Sequence, residues 1–292
     1  KDIRNLVLSD IEGFDVVIHL AALSNDPLGE FNLNLTEQIN FVAAIKLSEL
    51  SKKAGVKRFI YLSSQSMYGI SKLANELDED NSQKNPVTKY ASTKWESEKY
   101  IKRLSSEKFT TICLRPSTVF GKSPRLRCDI VFNNLVACAY TTGKIEIKTD
   151  GTPWRPVIHV LDLCSAIFAS IITSKEIVNG QSYNVGIDGG NYQVKQLAEV
   201  AAKVVPGCEL IFTGEHSNDP RSYKVSFKKI FNHLGKDYEP KWDLMKGGLE
   251  LVDYFKEIKF SEDDFRGKNC NRLAQLKSMI DNKIIDNNLY YV

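Results

Sequence analysis

Arg58-Phe-Ile-Tyr-Leu-Ser-Ser64 is the stretch on which the fold turns. Its first five residues form a short apolar run of aromatic and branched side chains, the pattern of a buried strand. Two serines follow directly, so the strand delivers hydroxyls at its carboxyl end. Upstream, Phe14-Asp-Val-Val-Ile-His-Leu20 reads as another short buried strand, ending in Ala21-Ala22. Between the two, Phe41, Ala44, Ile45, Leu47 and Leu50 recur at helical spacing. Thr36 suits the N-cap of that helix, Lys52 and Lys53 its last turn, and Gly55 the C′ position. Downstream, residues 70–87 are polar and aperiodic, with a proline at 86, and read as a loop. A helix follows from Thr88 to Leu104, then a third strand from Thr110 to Leu114, closed by Arg115-Pro116. Strand, helix, strand, helix, strand with short joins implies a parallel sheet with crossover helices. Ligands of such sheets sit beyond the carboxyl ends of the strands. Ala21, Ser64 and Pro116 are therefore expected to converge on one site.

Beyond Pro116 the pattern loosens. Helices are predicted over Asp129 to Tyr140, Leu161 to Ile172 and Val194 to Val205, the last stopped by Pro206-Gly207. Strands are predicted over Lys144 to Lys148, Trp154 to His159 and Tyr183 to Gly186. Residues 226–292 read as mostly helical, broken at Gly235 and at Gly247-Gly248. The expectation is an α/β chain: a parallel-sheet domain of residues 1–118 with 161–186, and a smaller α+β substrate-binding cap of residues 119–160 with 187–292.

Bulk properties narrow the function. Of 292 residues, 42% are hydrophobic and 26% charged, enough for a sizeable core. A net charge of +3, from 39 basic and 36 acidic residues, points to neither nucleic acid nor membrane as partner. Lys224, Lys228 and Lys229 read as the wet face of a helix. No apolar run reaches the ~18 residues of a membrane span, so the cytoplasm is the expected compartment. Cys113, Cys128, Cys138, Cys164, Cys208 and Cys270 form no C-x-x-C, and no His stands at metal-ligand spacing from them. They read as scattered core thiols in a reducing compartment, and no metal is expected. The chain enters directly on Lys1-Asp2-Ile3-Arg4 and reads as the interior of a longer protein.

Chemistry enters with Tyr90-Ala-Ser-Thr-Lys94, which puts a phenol and an ammonium on one helix face. A free Tyr, with a pKa near 10, is a poor base at neutral pH, and a fixed ammonium favours the phenolate. Bringing the pKa to about 7 requires roughly 4 kcal/mol of differential stabilisation. Three such pairs occur: Tyr68/Lys72, Tyr90/Lys94 and Tyr140/Lys144. Gly69 takes the first out of helical register and Gly143 breaks the third, so only Tyr90/Lys94 lies in an unbroken helix. Ser64, just past a buried strand, is placed to share a proton with Tyr90 on a substrate oxygen.

His19-Leu-Ala-Ala22, Ser63-Ser-x-x-x-Tyr-Gly69, Tyr90-x-x-x-Lys94, Leu114-Arg-Pro116 and Arg155-Pro-Val-Ile-His-Val160, in that order, resemble an extended short-chain dehydrogenase/reductase. More narrowly, the chain is similar to the nucleotide-sugar epimerases and dehydratases. The resemblance implies a Rossmann-type sheet with helices on both faces and NAD as cofactor, with NADP not excluded. It makes Tyr90 the acid/base for a sugar hydroxyl, with Ser64 sharing the proton and Lys94 holding the nicotinamide ribose. Asp2 and Ile3 would contact adenine. Leu20, Ala21, Ala22, Ser63 and Pro116 would line the dinucleotide, and Asn40 would steady it. A nucleotide-diphosphate sugar is the implied substrate, with Arg155, Arg127 and Arg221 as candidate partners for its diphosphate and Thr118 on the sugar. A homodimer paired through helices 37–54 and 88–105 is implied as well, although the same apolar faces could cover the sheet.

The family's Gly-rich phosphate turn does not occur in the chain, and on the family pattern roughly two βα units of about 30 residues each would precede Lys1. Gln65 and Ser66 stand where 4,6-dehydratases have an Asp-Glu pair, which argues against dehydration. Thr118 stands where epimerases often place an Asn. Three readings stay open: an NAD-dependent epimerase acting at C4, an NADPH-dependent 4-keto-sugar reductase, and a non-catalytic dinucleotide-binding relative.

Overall fold

A computed structural model describes residues 1–70, 75–215 and 222–292. In chain order its strands are β1 Val16–His19, β2 Arg58–Leu62, β3 Thr110–Pro116, β4 Thr118–Phe120, β5 Lys144–Ile147, β6 Trp154–His159, β7 Gln181–Val185, β8 Asn191–Gln193 and β9 Glu209–Phe212. Four of them make a parallel sheet in the order β1-β2-β3-β7. The register pairs His19 with Tyr61, Leu62 with Leu114, and Pro116 with Val185. All four carboxyl ends therefore emerge along one edge. Small sheets β4-β6-β8 and β5-β9 belong to the other half.

The alternation of side chains along a strand divides the sheet core in two. On one face Ile60, Leu62, Ile112 and Leu114 pack with Ala166 and Ala169 of the helix Val160–Ile172. On the other, Phe59, Tyr61 and Cys113 pack with Ala44 and Leu47 of the helix Ala43–Lys53 and Ile101 of the helix Lys89–Arg103. The apolar faces of these last two helices thus cover their own sheet. The cap has a separate core in which Phe132, Leu197, Leu251 and Phe255 are fully buried.

Several sequence expectations are corrected. Thr36 is no N-cap: its hydroxyl donates to the Gly29 and Asn32 carbonyls inside a continuous run. The run instead starts with Asn32 as cap and passes through a π-helical segment, Glu37–Val42, before Ala43–Lys53. The helix expected from Asp129 begins later, at Val131–Thr142. Gly247 and Gly248 break nothing, for both lie inside the helix Leu244–Glu257. Their role is close approach, since a methyl on Gly247 would stand 2.5 Å from Phe120 Cε2 and 3.1 Å from His159 Cδ2. Lys224 is not on the helix Lys228–Leu234, and its ammonium lies 4.3 Å from the Trp154 ring centroid. Val225, Phe227, Ile230, Leu234 and Tyr238 join the sheet core, so this segment leaves the expected cap. The thiols are all unpaired, with Cys164 exposed rather than in a core, and Cys128 is tied to Cys270 by a 2.8 Å backbone hydrogen bond. No helix among the described residues is long and apolar enough to cross a membrane.

Candidate active site

At the carboxyl edge of the sheet lies a cavity of about 680 Å³, within the size range of small-molecule sites. Leu20, Ser63, Ser64 and Pro116 reach it from the strand ends, Tyr90 and Lys94 from one helix, and Thr118, Arg127 and Arg155 from the cap side. The cavity wall thus gathers nine of the residues singled out from sequence. Asp2, Ile3, Ala21, Ala22 and Asn40 are not in that wall. Asp2 is ion-paired with Arg4 at 2.8 Å. Asn40 acts one layer out: its side chain accepts from Leu23 N at 2.8 Å and donates to Leu23 O at 3.1 Å, pinning the turn that follows β1. Arg221, like Lys72, lies outside the described residues.

The helix Lys89–Arg103 is started by Thr88, whose hydroxyl oxygen accepts from Ala91 N at 3.2 Å while its proton goes to Asp26 Oδ1 at 2.7 Å. Asp26 belongs to a short helix, Asp26–Phe31, that rests on Tyr90. A methyl on Gly29 would stand 2.7 Å from Tyr90 Cβ, so only glycine allows this approach. The sequence reading missed this helix, although its signal was present: Asn25 caps it by accepting from Leu28 N, and Pro27 stands in its first turn.

Electrostatics at the pair differ from the sequence expectation. Lys94 is buried, and its ammonium donates to Leu62 O at 2.7 Å while lying 4.8 Å from the Tyr61 ring centroid. Desolvation lowers its pKa from the ordinary 10.5 to about 7. Tyr90 is pushed up by desolvation. A hydrogen bond from Ser64 and the charge of Arg127 pull it down, and the carboxylate of Asp26 adds to the rise. Burial is the dominant influence on Tyr90, the Arg127 charge being a minor one, and the Lys94 ammonium is turned to the end of β2. Beside Lys94, His19 is neutral: burial first, and the ammonium second, lower its pKa to about 3.

Arg127 is held by Asp129 at 2.8 Å and by the Ser24 carbonyl at 3.3 Å, leaving Nη2 buried without a partner. Arg155 donates to the Trp154 carbonyl at 2.9 Å. Asn271 and Leu273, at the start of the helix Arg272–Asp281, close the wall from the chain's far end. No local pattern marks them, since their place depends on contacts such as Cys128 N to Cys270 O.

Beneath the site Arg115 and Glu98 form a buried pair, with Nε 3.1 Å from both carboxylate oxygens. Burial would raise the Glu98 carboxyl, yet the Arg115 charge and hydrogen bonds from Arg115 and Ser182 hold it below its ordinary value. Arg115 continues to the Tyr68 hydroxyl at 2.9 Å, which itself donates to Asn184 Oδ1 at 2.9 Å. Tyr68 therefore belongs to this support rather than to a second proton-transfer pair.

Comparisons with known proteins place the chain in a family. Residues 2–186 match the model of the NAD dependent epimerase/dehydratase family. Mouse dTDP-D-glucose 4,6-dehydratase is 28% identical over 260 residues, covering 86% of this chain and 70% of its own length. An uncharacterized UDP-glucose epimerase of Bacillus subtilis is 28% identical over 262 residues, covering 87% and 80%. Among solved structures, the UDP-glucose 4-epimerase of Thermotoga maritima superposes with a TM-score of 0.76 at 23% identity, over 89% of this chain and 84% of that one. The UDP-glucuronic acid 4-epimerase of Bacillus cereus does so with a TM-score of 0.74 at 24% identity, over 88% and 81%. These likenesses show a shared Rossmann-type fold. With a family match across well over half its length, the chain belongs to the NAD dependent epimerase/dehydratase family.

Proposed function

We propose that this protein oxidises and re-reduces C4 of a nucleotide-diphosphate sugar, an epimerisation, with Tyr90 as the acid/base. One observation carries the reading: the Tyr90 phenol and the Ser64 hydroxyl line the same cavity as Lys94, whose ammonium is anchored on Leu62 O. The solved relatives from Thermotoga maritima and Bacillus cereus are described with UDP-glucose and with UDP-glucuronic acid and NAD, respectively. The residues here fit such a pair of ligands. Lys94 offers a cation for a ribose hydroxyl, and Leu20 and Pro116 offer apolar walls for a flat ring. Arg127 Nη2, buried without a partner in the wall, calls for an acceptor on the ligand. NAD, when bound, supplies the hydride acceptor and donor.

The proton chemistry belongs to the chain itself. Tyr90 takes the proton of the sugar hydroxyl in its phenolate form, which burial disfavours and which a proton shared by Ser64 and the Arg127 charge favour. In the reverse direction Tyr90 returns the proton. Gln65 and Ser66, in the adjoining turn, carry no acid, which supports redox at C4 without elimination. Tyr90→Phe is expected to lower kcat by roughly 10²–10⁴-fold while leaving nucleotide-sugar affinity within about threefold. Turnover that survives the change would remove Tyr90 from the mechanism. The purified full-length protein should also turn over without added cofactor. A requirement for added NADPH would favour the 4-keto-sugar reductase instead.

A further inference from the structure

Gln65 lies in the turn Gln65–Tyr68 immediately after Ser64 and lines the cavity, yet it is only 2% exposed. Its Nε2 donates to Arg115 O at 3.0 Å and to Ser117 Oγ at 3.3 Å. The Ser117 proton is already directed to Val185 O at 3.0 Å. A carbonyl can only accept, so these partners settle which end of the amide is which. The oxygen, Oε1, is the free end, and it is buried without a partner. A buried acceptor left unmatched is costly, and such an atom in a site wall is matched by what the site binds.

We propose that Gln65 Oε1 is a ligand-binding acceptor that selects for an O–H or N–H donor at the reacting end of the bound molecules. This rests on the proposed function, because it takes the cavity to hold a dinucleotide and a nucleotide sugar. A side-chain amide oxygen accepts and never donates, so it rewards a donor at that point and rejects a keto, ether or methyl group. The preference is rigid, because both Nε2 bonds lock the side chain to the end of β3 and the residue that follows it. Two groups supply the required chemistry: a hydroxyl of the sugar, or the carboxamide N–H of the nicotinamide.

Calorimetry on the intact protein and on Gln65→Met tests the proposal with paired probes. NAD is compared with its 3-acetylpyridine analogue, in which the amide donor is a methyl. UDP-glucose is compared with its 4-deoxy-4-fluoro analogue. The expected result is that Gln65→Met weakens one donor-bearing probe by about tenfold and its donor-lacking counterpart by under about twofold. The pair that responds identifies the source of the donor. Equal weakening within both pairs, or no weakening in either, overturns the proposal, since a purely structural glutamine would not distinguish analogues. If the variant fails to fold, a crystal structure of the unsubstituted protein with NAD and UDP-glucose decides. Oε1 within about 3.2 Å of a ligand N or O sustains the proposal, and Oε1 bonded only to water or protein overturns it. Failure of the unsubstituted protein to bind either NAD or UDP-glucose would instead overturn the proposed function on which this inference rests.

Discussion

The sheet half and the cap bury different kinds of residue. Among the described residues, every buried polar or charged side chain lies in residues 1–118 or 161–186, except Asn133 and His159. The sheet half holds Lys94, Glu98, Arg115, Glu79 and His19 out of water, whereas the cap core is built around Phe132, Leu197, Leu251 and Phe255. Burying charge costs stability unless partners are aligned, and it sharpens every electrostatic interaction that remains. The half that presents Tyr90 and Lys94 accepts that cost. The cap supplies a wall, and ordinary apolar packing suffices for a wall.

The largest break in this contrast should come from the buried pair. Glu98→Gln leaves the Arg115 guanidinium buried without its counter-charge and is expected to lose about 3–5 kcal/mol in denaturant unfolding. A loss under about 1 kcal/mol would mean that the sheet half does not depend on its buried charges. In the cap, Leu251→Ala should lose about 2–4 kcal/mol by cavity formation. Its kcat should stay within about threefold when measured below the unfolding transition, and a much larger fall would show that the cap core takes part in more than support.

Lys94→Met should act in the opposite direction on stability. The pKa of this ammonium is depressed to about 7 in the folded chain, against about 10.4 unfolded. Below pH 7 both states are protonated and the folded state carries the full penalty. Between about pH 7 and 10.4 the unfolded state binds more protons, so stability rises with pH and the penalty fades. The substitution is therefore expected to stabilise by roughly 1–3 kcal/mol at pH 6, with the gain vanishing towards pH 10, even as turnover is lost. Destabilisation at pH 6 would show that the bond to Leu62 O outweighs desolvation.

Much of the sheet half was legible from local pattern. Short apolar runs and helical spacing fall on β1, β2, β3 and the helices between them, because burial on both faces of a parallel sheet leaves a continuous apolar signature. The Tyr90-x-x-x-Lys94 spacing was legible for the same reason, one helical turn being a local fact. Thr36 misled because a capping residue type inside a helix can turn its hydroxyl to the preceding turn. Gly247 and Gly248 misled because glycine marks close packing as well as chain breaks.

By itself, then, the sequence determined the α/β class, the alternation of strands and helices from β1 to β3 and the one-turn spacing of Tyr90 and Lys94, all of which depend on residues a few positions apart. Only the tertiary structure decided that Lys94 turns to the Leu62 carbonyl, that Arg127 shares a cavity wall with Tyr90, and that Gly29 seats a helix on Tyr90. It alone brought Asn271 and Leu273 into the wall and left Gln65 Oε1 without a partner. These features are set by the packing of segments distant along the chain, and side-chain direction in a packed interior follows the neighbours rather than the spacing.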